Sequence, residues 1–205
     1  MEEGRDQPLV EVSGLTSIDA IASALGDVQP DLGEMSSPDG ALTLMLCDIE
    51  DAAAIRAELG EGAAAGLLRD HRLLVARIVE LHAGRIVKEH DDGFMISFQS
   101  AHGGLRCALD LQRSLAGRTV GANQRPLLIR VGLHSGFVIA GGNDFFGRNV
   151  VLAARIAGRA QGGEILVSAA LKSYTETDPT FLFQARGEHH FKGVLGEHEL
   201  YSVSG

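Results

Sequence analysis

Two apolar runs, each carrying an aspartate where the run stops or turns, constrain this chain more than any other feature. The first is Leu42-Thr43-Leu44-Met45-Leu46-Cys47-Asp48-Ile49. It is apolar nearly throughout, which predicts a strand buried on both faces. In the second, residues 85–88 and 93–98 predict a hairpin turning on Glu89-His90-Asp91-Asp92. Between them Leu67, Leu68, His71, Leu74, Val75, Ile78, Val79 and His82 recur with a 3.6-residue period, predicting a long helix over about 63–82. Strand, helix and hairpin in that order can set Asp48 and Asp92 side by side on adjacent strands. Paired carboxylates at a sheet end suit a hard divalent cation, Mg²⁺ or Mn²⁺.

Composition narrows the rest. Of the 205 residues 45% are hydrophobic and 22% charged, so a packed core is expected rather than disorder. A net charge of −9 argues against a general nucleic-acid or anionic-membrane binder, while leaving room for a local basic site for one phosphorylated ligand. No uninterrupted apolar run approaches the ~18 residues that span a bilayer. The N-terminus is acidic, without the apolar core of a secretory signal. Cys47 and Cys107 lack metal-ligand spacing and read as buried thiols in a reducing cytoplasm.

Along the chain, residues 1–40 read as an arm and 41–205 as the folded domain. A short helix is expected at 17–25, capped by Thr16 or Ser17. Residues 26–40, rich in Asp, Pro, Ser and Gly, read as a linker. After the first strand come a short helix at 52–58, the long helix, and the hairpin. A helix at 101–116, a strand at 126–134, a turn at Gly141-Gly142-Asn143, a helix at 149–160 and a strand at 163–168 follow. The tail, 181–203, reads as short strands around a turn at 193–196. The fold class is therefore α+β, a ferredoxin-like βαββαβ core with a C-terminal extension.

Several motifs, in this order, carry a resemblance to the catalytic domain of class III nucleotidyl cyclases, over about residues 42–203. Cys47-Asp48-Ile49-Glu50-Asp51 is similar to that family's first metal motif. Lys88-Glu89-His90-Asp91-Asp92-Gly93-Phe94 is similar to the motif with a purine-reading lysine and the second metal aspartate, 44 residues after the first. Arg130-Val131-Gly132-Leu133-His134-Ser135-Gly136 resembles the strand before the dimerisation hairpin. The run from Asp144 to Arg155 resembles the segment holding a second purine-reading residue and the transition-state arginine. Gly163–Ser168 and Phe191-Lys192-Gly193-Val194 resemble the closing motifs.

The resemblance implies conversion of ATP to 3′,5′-cyclic AMP and pyrophosphate. It implies two divalent metal ions, Mg²⁺ or Mn²⁺, held by Asp48, Asp92 and the Ile49 backbone. Lys88 would donate to adenine N1 and Asp144 accept from the 6-amino group, a pairing that suits adenine over guanine. Arg155 would meet the charge developing on the α-phosphate. Lys192 would hold the β and γ phosphates. The backbone N–H groups of Ile49, Glu50, Asp51, Ala52 and Ala53 would form an anion nest. In this family each site lies between two domains. One domain in the chain thus implies a head-to-tail homodimer with two equivalent sites. An upstream sensor or regulator is not named by the sequence.

The chain departs from the pattern at three places. Where the family usually has a ribose-orienting asparagine stands Val151, a loss worth on the order of 10²-fold in rate. Asp51 and Asp91 replace glycines. A slow or conditional adenylate cyclase is the favoured reading. The alternative is a catalytically degenerate module that binds nucleotide or dimerises.

Overall fold

A computed structural model describes residues 16–24, 41–137 and 143–205. The expected linker at 26–40, and Gly141-Gly142 of the expected turn, lie outside these. In order the elements are α1 (Ser17–Ala24), β1 (Ala41–Ile49), α2 (Ala52–Leu59), α3 (Glu61–Leu81), β2 (Arg85–His90), β3 (Gly93–Phe98) and α4 (Ala101–Leu115). Then follow β4 (Thr119–Val120), β5 (Arg125–Pro126), β6 (Ile129–Phe137), α5 (Asn143–Ala157), β7 (Ile165–Ser168), α6 (Ala169–Thr175), β8 (Leu182–His190) and β9 (Glu197–Ser204).

One seven-stranded sheet organises the molecule, in the order β2-β3-β1-β6-β7-β9-β8. Each of its first four strands runs antiparallel to its neighbour, the arrangement of the expected βαββαβ core. The extension enters through α5, which crosses over so that β7 pairs parallel with β6. The β8–β9 hairpin then completes the far edge.

Strand alternation sends successive side chains to opposite faces. On one face Met45, Cys47 and Ile49 of β1, Phe94, Ile96 and Phe98 of β3, and Ile129, Val131 and Leu133 of β6 pack against α2, α3, α4 and α6. On the other, Leu42, Leu44 and Leu46 of β1 and Met95 of β3 pack against Ile18 and Ile21 of α1 and the small residues Ala153, Ala154 and Ala157 of α5. β1 is thus buried on both sides, which explains its continuous apolar run.

Three boundaries differ from the expected ones for physical reasons. α5 runs from Asn143 to Ala157 rather than over 149–160, so Asn143, expected in the turn, opens the helix and Gly147 lies inside it. The expected strand at 126–134 is two elements. Pro126 closes the small β4–β5 ribbon, and β6 starts only at Ile129. α6 was not expected. It starts where the Ser168 hydroxyl caps it by accepting from the Leu171 N–H at 3.3 Å.

Candidate active site

β1 ends at Ile49 and the chain turns at once into α2, so Asp48 stands on the last turn of pleat before a helix start. Asp48 lies opposite Arg130 in the β1–β6 ladder. That places its carboxylate on the α1 and α5 face, in step with Leu42, Leu44 and Leu46. Asp92 sits in the tight turn between β2 and β3. β3 is the neighbour of β1, so the hairpin brings Asp92 over the same strand end, where its Oδ2 accepts from the Ile49 N–H at 2.8 Å.

Both aspartates line one cavity of about 550 Å³, shared with Ile49, Glu50, Asp51, Ala52 and Ala53. The sequence therefore named seven residues that the fold gathers in one place. Its other walls come from Thr16, Ser17, Arg56, Asp91 and Arg130.

Arg130 is a partner that the sequence reading missed. Its Nε and Nη2 donate to Asp48 Oδ1 and Oδ2 at 2.9 and 2.6 Å, a bidentate pair. Even so, burial pushes the Asp48 carboxyl up to about 6, Arg130 opposing and the Asp92 charge adding to the rise. Five carboxylates line the cavity, Asp48, Glu50, Asp51, Asp91 and Asp92, against the two guanidinium groups of Arg56 and Arg130. Hard carboxylate oxygens with that surplus fit a divalent cation. Among the described residues no group of three or more His, Cys, Asp and Glu side chains is gathered to hold a metal, so a metal here relies on two carboxylates and backbone.

The two replaced glycines have a local explanation. Asp51 and Asp91 take left-handed backbone, at φ 55° and 51°. Glycine favours that region, and aspartate tolerates it better than most residues. The Asp51 carboxylate does not stand bare beside the α2 start. Arg125 Nη2 holds it at 2.6 Å. Glu50 is turned aside too, accepting from the Gly162 N–H at 2.6 Å.

The remaining expected residues lie elsewhere on the same side of the sheet or beyond it. Lys88 of β2 is the ladder partner of Met95, so it shares the α1 and α5 face. Asp144 lies in the first turn of α5 and Arg155 in its last. Val151, between them, is half-buried. Arg155 Nη1 pairs with Asp19 of α1 at 3.4 Å, while its Nε is buried with no hydrogen-bond partner. Lys192 is exposed in the turn between β8 and β9 and does not line the aspartate cavity. That turn is fastened to α5, because Phe191 packs on the cluster of Leu152 and Ile156. The candidate residues thus form two groups, an aspartate group at the β1–β3 end and an α5 group.

A model of the adenylate and guanylate cyclase catalytic domain family matches residues 35–205. The chain belongs to this family. An adenylate cyclase of Mycosarcoma maydis is 30% identical over 159 residues, covering 66% of this chain and 6% of that protein. An uncharacterised Mycobacterium tuberculosis protein is 34% identical over 137 residues, covering 65% of this chain and 44% of that one. The chain spans less than half the length of these curated relatives. Among solved structures, the adenylyl cyclase CyaB of P. aeruginosa superposes with a TM-score of 0.69 at 21% identity, covering 80% of this chain and 94% of that one. Adenylate cyclases of Trypanosoma brucei in their monomeric state superpose with a TM-score of 0.69 at 21% identity, covering 82% and 89%. At such identities these likenesses establish a cyclase fold. No helix among the described residues is long and apolar enough to cross a membrane.

Proposed function

We propose that this cyclase domain is an adenylate cyclase, forming 3′,5′-cyclic AMP and pyrophosphate from ATP at sites shared by two copies of the chain. The observation that carries the reading is the convergence of Asp48, Asp92 and the start of α2 on one cavity. In the reaction the ribose 3′-hydroxyl loses its proton and attacks the α-phosphorus, and the bond to pyrophosphate breaks. Divalent ions held by Asp48, Asp92 and the Ile49 carbonyl would supply activation of that hydroxyl and neutralise the leaving group. Of the five N–H groups of the expected anion nest, that of Ile49 donates to Asp92 and that of Glu50 to the Leu128 carbonyl. The nest therefore reduces to Asp51, Ala52 and Ala53 at the α2 N-terminus, which favour the triphosphate by the helix dipole. The neutralising contact from Arg125 keeps Asp51 from opposing this.

The α5 group serves the other end of the nucleotide. Lys88 donates to adenine N1 and Asp144 accepts from the amino group. Arg155 has a buried Nε without a partner, so it has donor capacity left for the α-phosphate. The separation of the aspartate group from Lys192 on the β8–β9 turn supports a site completed by a second copy. With Val151 lacking a hydrogen-bonding group, turnover is slow or conditional.

The test is cyclic AMP and cyclic GMP formation by concentrated protein with ATP or GTP and Mn²⁺, across a dilution series. Cyclic AMP whose specific rate falls on dilution is the expected result. Asp92→Asn keeps an acceptor for the Ile49 N–H while removing the charge, so it should leave the fold intact and lower the rate on the order of 10²-fold or more. Full activity in that variant would refute the metal assignment.

A second reading, a nucleotide-binding module without turnover, draws on Val151. Val151→Asn separates the two. A gain on the order of 10²-fold supports a weakened enzyme, and no product from either form supports the module.

A further inference from the structure

One short helix touches both groups of candidate residues. The Ser17 hydroxyl donates to Asp92 Oδ1 at 2.7 Å. Two residues on, Asp19 Oδ1 pairs with Arg155 Nη1. Between them Ile18, and one turn later Ile21, are fully buried against Leu44, Leu46, Met95, Val150 and Ala154. Thr16 and Ser17 wall the aspartate cavity.

The helix is built to hold this pose. Thr16 caps it, its hydroxyl accepting from the Asp19 N–H at 3.2 Å. Asp19 Oδ2 accepts in return from the Thr16 N–H at 3.3 Å and its hydroxyl at 3.0 Å. This is a reciprocal box, with aspartate at the position glutamate often fills. The box fixes the Asp19 carboxylate so that its other oxygen faces Arg155.

In this pose the site residues are engaged by the protein itself. Asp92 has one oxygen on the Ser17 hydroxyl and the other on the Ile49 N–H. Asp48 has both oxygens on Arg130. Arg155 gives one nitrogen to a carboxylate, where a phosphate would bind, and leaves Nε unpaired. The same helix also covers the apolar surface between the hairpin and α5. An eight-residue helix is marginal alone, so its order depends on this surface.

We propose that α1 is an intramolecular cap on the catalytic face. It competes with the divalent cation for Asp92, with substrate phosphate for Arg155, and with a second copy of the chain for the apolar surface of Leu44, Leu46 and Met95. The proposal rests on the shared-site cyclase reading above. Turnover then requires α1 to leave, and whatever acts on residues upstream of β1 acts on the rate.

The experiment uses the full 205-residue chain and two variants. S17A/D19A removes the polar anchors and keeps the apolar contact. I18D/I21D removes the apolar contact. Sedimentation equilibrium reads dimer affinity, the free-Mn²⁺ resonance signal reads cation binding, and cyclic AMP formation reads activity. Circular dichroism and thermal unfolding check the fold. The expected result is about tenfold tighter dimerisation and Mn²⁺ binding in S17A/D19A, the scale of one charged hydrogen bond, with a matching gain in rate on dilute protein. Folded variants whose dimer and Mn²⁺ affinities are unchanged or weaker would overturn the cap and show α1 to be part of the working site. If I18D/I21D does not fold, S17A/D19A decides alone. Tighter dimers and tighter Mn²⁺ binding with no cyclic nucleotide from any form would keep the cap and sink the cyclase reading.

Discussion

The two faces of the sheet are built by opposite rules. The face under α2, α3, α4 and α6 is filled by large apolar side chains, among them Phe94, Phe98, Leu105 and Leu111, all essentially inaccessible. The face under α1 and α5 presents Arg130, Gly132, His134 and Gly136 from β6, met by alanines of α5. The first face gains stability from volume filled at native density. The second is apolar under α1, where Leu44, Leu46 and Met95 meet Ile18 and Ile21, but along β6 it gives up volume so that α5 lies close to the sheet and charged groups can stand at its edge. One face holds the fold together, and the other is arranged for polar chemistry.

The harshest way to break that comparison is Gly132→Ala. A Cβ at Gly132 would collide with the backbone N and Cα of Ala157, and backbone cannot step aside as a side-chain tip can. α5 must lift off the sheet, carrying Arg155 with it. We expect a loss of about 3 kcal/mol or more in urea unfolding, together with loss of cyclase activity. A variant of near-normal stability would mean that α5 does not sit tightly on β6, and the close-approach rule for this face would fall. Gly136→Ala should be milder. Its Cβ would meet the Asn149 side chain amide at 2.8–3.0 Å, a group that can move.

Which parts of this were legible in the sequence follows from the same contrast. The thick face announced itself. The period of Leu67, His71, Leu74, Val75, Ile78 and Val79 and the doubly apolar β1 gave α3 and the strand directly, because large buried side chains leave a periodic trace. The hairpin was legible through its turn, and with it the meeting of Asp48 and Asp92. The thin face left a weaker trace. The start of α5, Asn143-Asp144-Phe145-Phe146-Gly147-Arg148, follows Gly141-Gly142 and carries turn-forming residues, so α5 was expected six residues late. The Asp48–Arg130 pair needs the β1–β6 register, a contact 82 residues apart that no local pattern encodes. The helix at 17–24 was legible, and its docking on the site was not. The sequence reading offered Thr16 or Ser17 as the cap and did not single out Asp19, which the reciprocal contacts with Thr16 hold in place.

Acid sharpens the comparison, since each face buries one neutral histidine. His71 of α3 and His134 of β6 are both lowered to about 4, burial being the main cause in each. A folded-state value below the unfolded one means that stability is full above about pH 6.5 and falls as pH drops toward 4. Each histidine would cost about 3 kcal/mol by pH 4. Asp48 acts with the opposite sign. Its carboxyl is raised to about 6, so protonation between about pH 6 and pH 4 relieves part of its burial. Two histidines outweigh one aspartate, and urea unfolding should show a net loss of about 3 kcal/mol between pH 7 and pH 4. A flat profile over that range would mean that water reaches the unpartnered His71 ring, or that the Asn149 and Ser168 oxygens beside His134 hold that ring charged.

The smallest effect tests a buried polar ring on the thick face that, unlike the Thr43–Ser135 pair on the same face, has no hydrogen-bond partner. His71 is buried, packs edge-on against Phe94 with centroids 5.6 Å apart, and has neither ring nitrogen in a hydrogen bond. Desolvating a polar ring without a partner costs stability, and filling the same space with an apolar side chain recovers it. Methionine has a similar reach and adapts to irregular gaps. His71→Met is therefore expected to raise unfolding stability by about 1–2 kcal/mol and to flatten the acid profile, while leaving cyclase activity unchanged. A loss of stability would show that the ring serves a partner on the hairpin, and a loss of activity at full stability would show that it sets the position of Asp92. Either result would extend the polar arrangement through the sheet and end the division between a face that only holds and a face that works.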